Sequence, residues 1–194
     1  IEYILPEKML TNAELEAYCD GWSADKIYKK TGISTRHIAR SDETALDLAE
    51  QAVKQLFSNG YARKEEIDFL IMATQSPDYI LPTNACILQH RLGLRNDVGA
   101  FDINLGCSAY IYGLVVAKSL IDSGIAKKVL LVTGDTYSKY LDKTDRSTRT
   151  IFGDGATATL IGEGGFAIGE AVFGTDGSGM KLLCVTESGC RKGD

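Results

Sequence analysis

The sequence predicts an α/β fold with a mixed, largely parallel sheet of five strands and helices on both faces. Segments with helical spacing of apolar residues alternate along the chain with short apolar runs typical of buried strands. Parallel strands joined in this way carry helices on both faces of their sheet. The 194 residues, 44% hydrophobic and 24% charged, are enough to bury a core. These proportions exclude disordered, collagen-like and coiled-coil chains.

The first forty residues predict short elements. Thr11 and Glu14 have the spacing of a capping box, which predicts a short helix to about residue 19. A second short helix is predicted over residues 24–30, and Gly32 ends it. Residues 33–40 are predicted to be extended.

The middle of the chain has the clearest periodicity. Apolar residues recur at three and four over residues 44–58, which predicts an amphipathic helix. Residues 68–74 form a short, continuous apolar run, as expected of a strand buried on both faces. A further helix is predicted over residues 84–92, with Thr83 as its N-cap and Gly93 as its end.

The alternation of strands and helices continues to residue 132, after which the prediction contains strands only. A strand over 98–103, a helix over 108–123 and a strand over 128–132 continue the alternation. The helix is apolar on most of its circumference, so we expect it to be buried. Three glycine-separated strands follow in the prediction, over residues 156–161, 167–173 and 182–186. We expect them to extend the sheet or form an antiparallel edge.

Charge and cysteine content narrow the class of protein. The net charge of −5 argues against a nucleic-acid partner. No apolar run approaches the roughly 20 residues of a membrane span. No signal peptide is visible in these residues, and the cysteine usage favours a reducing cytosol with free thiols, so we expect a cytoplasmic protein with no membrane partner. The odd cysteine number and the lack of C-x-x-C spacing disfavour a disulfide framework or a zinc site. The five cysteines are Cys19, Cys86, Cys107, Cys184 and Cys190.

Cys107 is the candidate nucleophile. It follows a predicted buried strand and precedes a predicted helix, and functional groups in α/β sheets lie at the carboxyl ends of strands. A helix N-terminus favours thiolate over thiol. Gly106 allows a tight turn before it. The alternative is that Cys107 only fills space in the core, as many cysteines do.

Four stretches carry a family resemblance: residues 30–39 (KTGISTRHIA), 81–89 (LPTNACILQ), 100–113 (AFDINLGCSAYIYG) and 144–156 (TDRSTRTIFGDGA). In this order they resemble blocks of the β-ketoacyl-acyl carrier protein synthase III family, which belongs to the thiolase-like condensing enzymes. The resemblance implies a thiolase-like fold, of which residues 1–194 are the N-terminal half. It also implies a cytoplasmic homodimer in fatty acid or related lipid biosynthesis.

The resemblance also implies a reaction. Cys107 accepts an acyl group from acyl-coenzyme A, and a decarboxylative Claisen condensation with malonyl-acyl carrier protein follows. No cofactor beyond the acyl-coenzyme A substrate and no metal is implied. The family's catalytic His and Asn lie in the second half of its chain, which is absent here. Neither His37 nor His90 matches that histidine.

Coenzyme A contacts follow from the same resemblance. Arg146 matches the arginine of the T-D-R motif, and Lys30 occupies the basic position before the T-G-I block. The family's adenine-stacking tryptophan position falls on Lys26. Trp22, four residues earlier, replaces the stacking surface or merely packs. For Arg146 the alternative is a solvated charge.

The acyl pocket is implied to involve Leu81 and Phe152. Leu81 stands where the family has a bulky residue that reaches across the dimer, and Phe152 borders the pocket. Asp154, in the G-D-G-A stretch, is expected to accept hydrogen bonds from backbone donors in a turn beside the nucleophile.

Two alternatives remain open. Relatives of the synthase transfer the acyl group to other acceptors or make hydroxymethylglutaryl-coenzyme A, and they keep the same cysteine. The chain is alternatively a non-catalytic subunit that stabilises an active paralogue through the dimer face, although an intact Cys107 argues against this.

Overall fold

A computed structural model describes residues 1–18, 20–185 and 190. Its main sheet has five strands in the order β1-β7-β6-β4-β5. Strand β4 pairs in parallel with both β5 and β6, while β7 runs antiparallel to β6 and to β1. These strands are β1 (Glu2–Ile4), β4 (Phe69–Ala73), β5 (Gly99–Ile103), β6 (Val129–Asp135) and β7 (Gly155–Ile161). The predicted mixed, five-stranded α/β sheet is confirmed.

The edge of the sheet differs from the prediction. Strand β1 was not predicted, because its three residues are too few for a recognisable alternation. The strand expected over 167–173 is wrong, since those residues are irregular. The strand expected over 182–186 is also wrong up to residue 185, and Thr186 lies outside the described residues. Because β1 occupies the outer edge of β7, later segments find no partner there.

Helices cover both faces of the sheet, as predicted. Helix α3 (Ala45–Ser58) and helix α4 (Asn84–Leu92) pack on one face in a cluster that includes Leu70 and Leu130. Helix α5 (Ala109–Asp122) packs on the other face, in a cluster that includes Leu131. The alternation of neighbours such as Leu130 and Leu131 between the two clusters follows from the strand period of two.

Helix α4 is capped from the neighbouring strand. The predicted N-cap, Thr83, makes no side-chain capping bond. Instead the carboxylate of Asp102, on β5, accepts the backbone N–H groups of Asn84 at 2.8 Å and Ala85 at 2.7 Å. Burial raises the pKa of Asp102, and these two hydrogen bonds oppose the shift. The helix is therefore anchored to the strand that leads to Cys107.

Helix α5 approaches the sheet through small residues. Its buried residues are Ala109, Gly113 and Ala117, while Ile111 is half exposed. The expectation of a fully buried helix is therefore only partly met in this chain. A Cβ atom at Gly113 would lie 2.5 Å from Cδ1 of the buried Leu131, so glycine is what lets the helix come this close.

A smaller unit lies beside the sheet. It contains the antiparallel pair β2 (Met9–Thr11) and β3 (Thr35–His37) with helices α1 (Asn12–Glu16) and α2 (Ala24–Thr31). The predicted capping box of Thr11 and Glu14 and the second short helix are confirmed, whereas the first helix ends at Glu16, before its predicted end near Cys19, which lies outside the described residues. Strand β2 was not predicted, being only three residues long.

Two buried polar side chains attach this unit to the rest of the chain. Arg36 is 3% exposed and donates from Nε to the carbonyl oxygen of Thr150 at 2.9 Å. Asp154 is 4% exposed and accepts the backbone N–H of Ala39 at 2.7 Å and of Ser138 at 3.0 Å. The expectation that Asp154 satisfies backbone donors is confirmed.

Among the described residues, no helix is both long and apolar enough to cross a membrane.

Gly113→Ala tests the close approach of α5. The added methyl group collides with Leu131, and overpacking of this kind costs about 1–3 kcal/mol, which offsets the roughly 1 kcal/mol gained in helix propensity. We expect a lower free energy of unfolding in urea titration. Gly169→Ala, where a Cβ meets nothing within 4 Å, is the control and should change little. A more stable Gly113→Ala protein would contradict the packing described.

Asp154→Ala tests the attachment of the smaller unit. Removing the carboxylate leaves the N–H groups of Ala39 and Ser138 buried without an acceptor, at a cost of about 2–4 kcal/mol in unfolding free energy. Asp42→Ala, at an exposed aspartate, should change stability by less than about 0.5 kcal/mol. Equal melting temperatures for the two variants would exclude this role of Asp154.

Candidate active site

The carboxyl ends of β4, β5 and β6 meet at one edge of the sheet, because the three strands are parallel. Cys107 follows β5 at this edge, directly before α5, and is exposed. The backbone N–H of Ala109 donates to the carbonyl oxygen of Gly106 at 2.9 Å, which closes a tight turn around the cysteine. No side chain caps the start of α5. The N–H of Ala109 is engaged in this turn, whereas those of Tyr110 and Ile111 make no hydrogen bond among the described residues and can face a ligand.

Gly106 allows the turn to lie against Gln75, the second residue after β4. A Cβ atom at position 106 would be 2.8 Å from Oε1 of Gln75, closer than real Cβ contacts permit. The hydroxyl of Tyr137, just beyond β6, donates to the same Oε1. Sequence reasoning missed Gln75 and Tyr137, although both stand after strands of the edge that was used to select Cys107.

The carboxylate of Asp135 organises the loops around this edge. Its Oδ1 accepts the N–H of Gln75 at 2.7 Å and the N–H and Oγ–H of Ser76 at 3.1 and 3.0 Å. It also accepts the hydroxyl of Thr74 at 3.1 Å. Burial is the largest influence and raises the pKa of Asp135, while these donors act in the opposite direction. The ends of β4 and β6 are thereby held together.

The two predicted acyl-pocket residues lie in different environments. The ring of Phe152 is 5.3 Å from the ring of Tyr137, centroid to centroid, which brings Phe152 to the cluster around Gln75. Leu81 is 84% exposed and follows two further exposed residues, Tyr79 and Ile80. Within the described part of the chain, no contact links Leu81 to Cys107.

The predicted coenzyme A residues come together on the smaller unit. The Nζ atom of Lys30 lies 5.2 Å from the centre of the Trp22 ring, and that of Lys26 lies 5.6 Å from it. Nη1 of Arg146 donates to the carbonyl oxygen of Asp20 at 2.9 Å, two residues before Trp22. An aromatic ring with two lysines over it, and an arginine bonded to the chain two residues before it, offers both a stacking surface and sites for anions.

The two histidines lie elsewhere. Nδ1 of His37 is 2.6 Å from the carbonyl oxygen of Pro6, and His90 is exposed on α4. Among the described contacts, neither histidine touches Cys107.

Known proteins resemble this chain in sequence. The family model described as 3-oxoacyl-[acyl-carrier-protein (ACP)] synthase III matches residues 101–177, which include Cys107, Arg146 and Phe152. A β-ketoacyl-[acyl-carrier-protein] synthase III of Caldanaerobacter subterraneus subsp. tengcongensis is 41% identical over 96% of this chain and 56% of its own length. The chain therefore spans about half the length of the curated relatives it matches.

Solved structures agree in fold. A crystal structure of 3-oxoacyl-(acyl-carrier-protein) synthase III is 52% identical, with a TM-score of 0.94 over 100% of this chain and 58% of that one. The priming β-ketosynthase of the R1128 polyketide pathway is 29% identical, with a TM-score of 0.86 over 92% of this chain and 53% of that one. The predicted thiolase-like fold is confirmed.

Sequence blocks, fold and relatives thus agree, and the chain is similar, over about half of their length, to β-ketoacyl-[acyl-carrier-protein] synthase III enzymes with the thiolase-like fold.

Proposed function

We propose that the complete protein is a β-ketoacyl-acyl carrier protein synthase III that carries its acyl intermediate on Cys107. The exposed position of Cys107 at the uncapped start of α5, within the stretch matched by the family model, carries this proposal. Nothing in the described chain covers the thiol, so a substrate thioester has access to it. Homology to enzymes with this name supports acyl-coenzyme A and malonyl-acyl carrier protein as the two substrates.

The first step is a thioester exchange. The Cys107 thiolate attacks the carbonyl carbon of acyl-coenzyme A, and the new carbon–sulfur bond forms as the negative charge moves to the oxygen. Collapse of this intermediate breaks the bond to coenzyme A, whose thiolate leaves and takes up a proton. The free N–H groups at the start of α5 are suited to stabilise the developing negative charge.

Coenzyme A is proposed to bind on the smaller unit. The Trp22 ring supplies a stacking surface for adenine, and Lys30 and Arg146 supply positive charge for its phosphates. Lys26 stands where the family has its tryptophan, yet it lies over the Trp22 ring, which supports a shifted stacking surface in this chain. Arg146 donates one N–H to the carbonyl oxygen of Asp20, and we propose that other N–H groups of its guanidinium bind a phosphate.

The acyl pocket is proposed to lie between Phe152 and a second copy of the chain. Phe152 adjoins the Tyr137 ring at the nucleophile edge. Leu81, at 84% exposure beside exposed Tyr79 and Ile80, is an apolar projection suited to a dimer contact. A homodimer in the cytoplasm, with Leu81 reaching the partner's pocket, is therefore part of the proposal.

The condensation step needs the rest of the protein. We propose that residues 1–194 are the N-terminal half of the thiolase-like fold, and that a His and an Asn in the other half decarboxylate the malonyl group. Transfer to other acceptors and a non-catalytic role receive less support, since the relatives described above carry the synthase name.

Cys107→Ala tests the nucleophile. Incubation of the complete protein with acetyl-coenzyme A should add one acetyl mass that hydroxylamine removes, as seen by intact mass spectrometry. The adduct should be absent from Cys107→Ala and present in Cys86→Ala, which removes another exposed cysteine. An adduct that persists without Cys107, or none on the native protein, would overturn the proposal.

Trp22→Ala and Arg146→Ala test the coenzyme A contacts. Each removes a stacking or charge-assisted contact, for which we expect about a tenfold loss in acylation efficiency with acetyl-coenzyme A relative to acetyl-N-acetylcysteamine. The second thioester lacks the nucleotide, so the ratio isolates nucleotide recognition. Lys29→Ala is the control, because Lys29 neighbours Lys30 on α2 but bridges to Asp25 at 2.7 Å. An unchanged ratio in both variants would place the nucleotide elsewhere.

A further inference from the structure

Two polar side chains at the nucleophile edge have no part in the proposed acyl transfer. Gln75 and Tyr137 are half-buried, and the Tyr137 hydroxyl donates to Oε1 of Gln75. They stand beyond the ends of the neighbouring strands β4 and β6, and Cys107 follows β5, which pairs with the other side of β4. Both side chains carry polar atoms, whereas Phe152, whose ring lies beside that of Tyr137, is purely apolar.

The Gln75 side chain is held against the turn that carries the cysteine. Its backbone N–H donates to Asp135 at 2.7 Å, which fixes the start of the side chain. A Cβ at Gly106 would meet Oε1 at 2.8 Å and Nε2 at 3.7 Å, so both ends of the carboxamide border this residue. Gly106 directly precedes Cys107. The carboxamide therefore borders the residue that directly precedes the proposed nucleophile.

The hydrogen bonds of this pair leave donors unused. Oε1 of Gln75 is engaged by Tyr137, whereas Nε2, with two N–H groups, has no acceptor among the described residues. Burial, followed by electrostatic interaction with the nearby Asp135 carboxylate, raises the pKa of Tyr137. The phenol thus stays protonated and keeps orienting the carboxamide at neutral and mildly alkaline pH.

Unused donors in a site of this kind disfavour a purely hydrocarbon ligand. Covering an amide N–H with alkyl carbon removes its water without replacing the hydrogen bond. An oxygen on the ligand restores that bond, and a site with a polar group of this type discriminates against the analogue that lacks it.

We propose that Gln75, oriented by Tyr137, is a specificity-determining residue that favours acyl groups carrying a hydroxyl or keto oxygen over plain alkyl acyl groups of equal length. The inference rests on the proposed acylation of Cys107. It assigns Nε2 of Gln75 as the donor to the oxygen of the acyl chain, while Phe152 and the Tyr137 ring contact its carbon atoms.

Competition between matched thioesters tests this assignment. The complete protein is offered equimolar butyryl-coenzyme A with either 3-hydroxybutyryl- or 4-hydroxybutyryl-coenzyme A, and the adducts on Cys107 are quantified by intact mass spectrometry at early times. We expect at least one hydroxy isomer to exceed butyryl by about tenfold. In Gln75→Met, which keeps the length of the side chain without the donor, that preference should fall to near one.

Two further variants separate selection from folding. Tyr137→Phe removes the hydroxyl that orients Gln75, and we expect it to reduce the preference by several-fold. Gln51→Met makes the same exchange at an exposed position of α3 and should keep the native preference. Because each ratio is measured within one protein, partial loss of folded material affects both adducts equally.

The possible failures are distinct. If butyryl matches or exceeds both hydroxy isomers on the native protein, or if Gln75→Met keeps the native preference, the specificity inference is overturned while acylation of Cys107 stands. If no thioester yields an adduct on Cys107, the proposed function fails and the inference fails with it.

Discussion

The hydrogen-bonded carboxylate of Asp135 is the interaction on which the candidate site depends. Parallel strands bring three loops to one edge of the sheet, but strand pairing alone does not determine how those loops are arranged. Oδ1 of Asp135 accepts four donors from residues 74–76 and so ties the loop after β4 to the end of β6. This connection brings Gln75 and Tyr137 into hydrogen-bonding contact. The turn at Gly106 and Cys107 packs against the Gln75 side chain.

The carboxylate of Asp154 attaches the smaller unit, which carries Trp22 and Lys30, to this edge of the sheet. Asp154 accepts backbone donors from Ala39, after β3, and from Ser138, after β6. The smaller unit with Trp22 and the sheet with Cys107 are thus joined through buried hydrogen bonds rather than through a large apolar interface. An unpaired backbone donor is costly inside a protein, so such bonds determine relative position more sharply than apolar packing does.

The sequence predicted the centre of the fold better than its edges. Strands β4, β5 and β6 and helices α3 and α5 were predictable because their long apolar patterns have few alternative interpretations. The three-residue β1 lacks such a pattern, and the stretch 167–173 has a strand-like composition but pairs with no strand, while β1 occupies the outer edge of β7. At the site, Cys107 followed from its motif. Gln75 and Tyr137 did not, because their pairing depends on the contact between the loop after β4 and Asp135 at the end of β6.

The described residues fit the proposed attachment of the acyl group to Cys107 better than the proton transfers of the proposed condensation. Cys107 has donors from α5 beside it, but the described hydrogen bonds of Asp135 involve hydroxyl and backbone groups rather than a cation or an imidazole. His37 is engaged with Pro6 and His90 is exposed on α4. This part of the chain is therefore suited to receive and select an acyl group. A decarboxylating condensation needs additional donors opposite Cys107, which is the contribution expected of the remaining half of the fold.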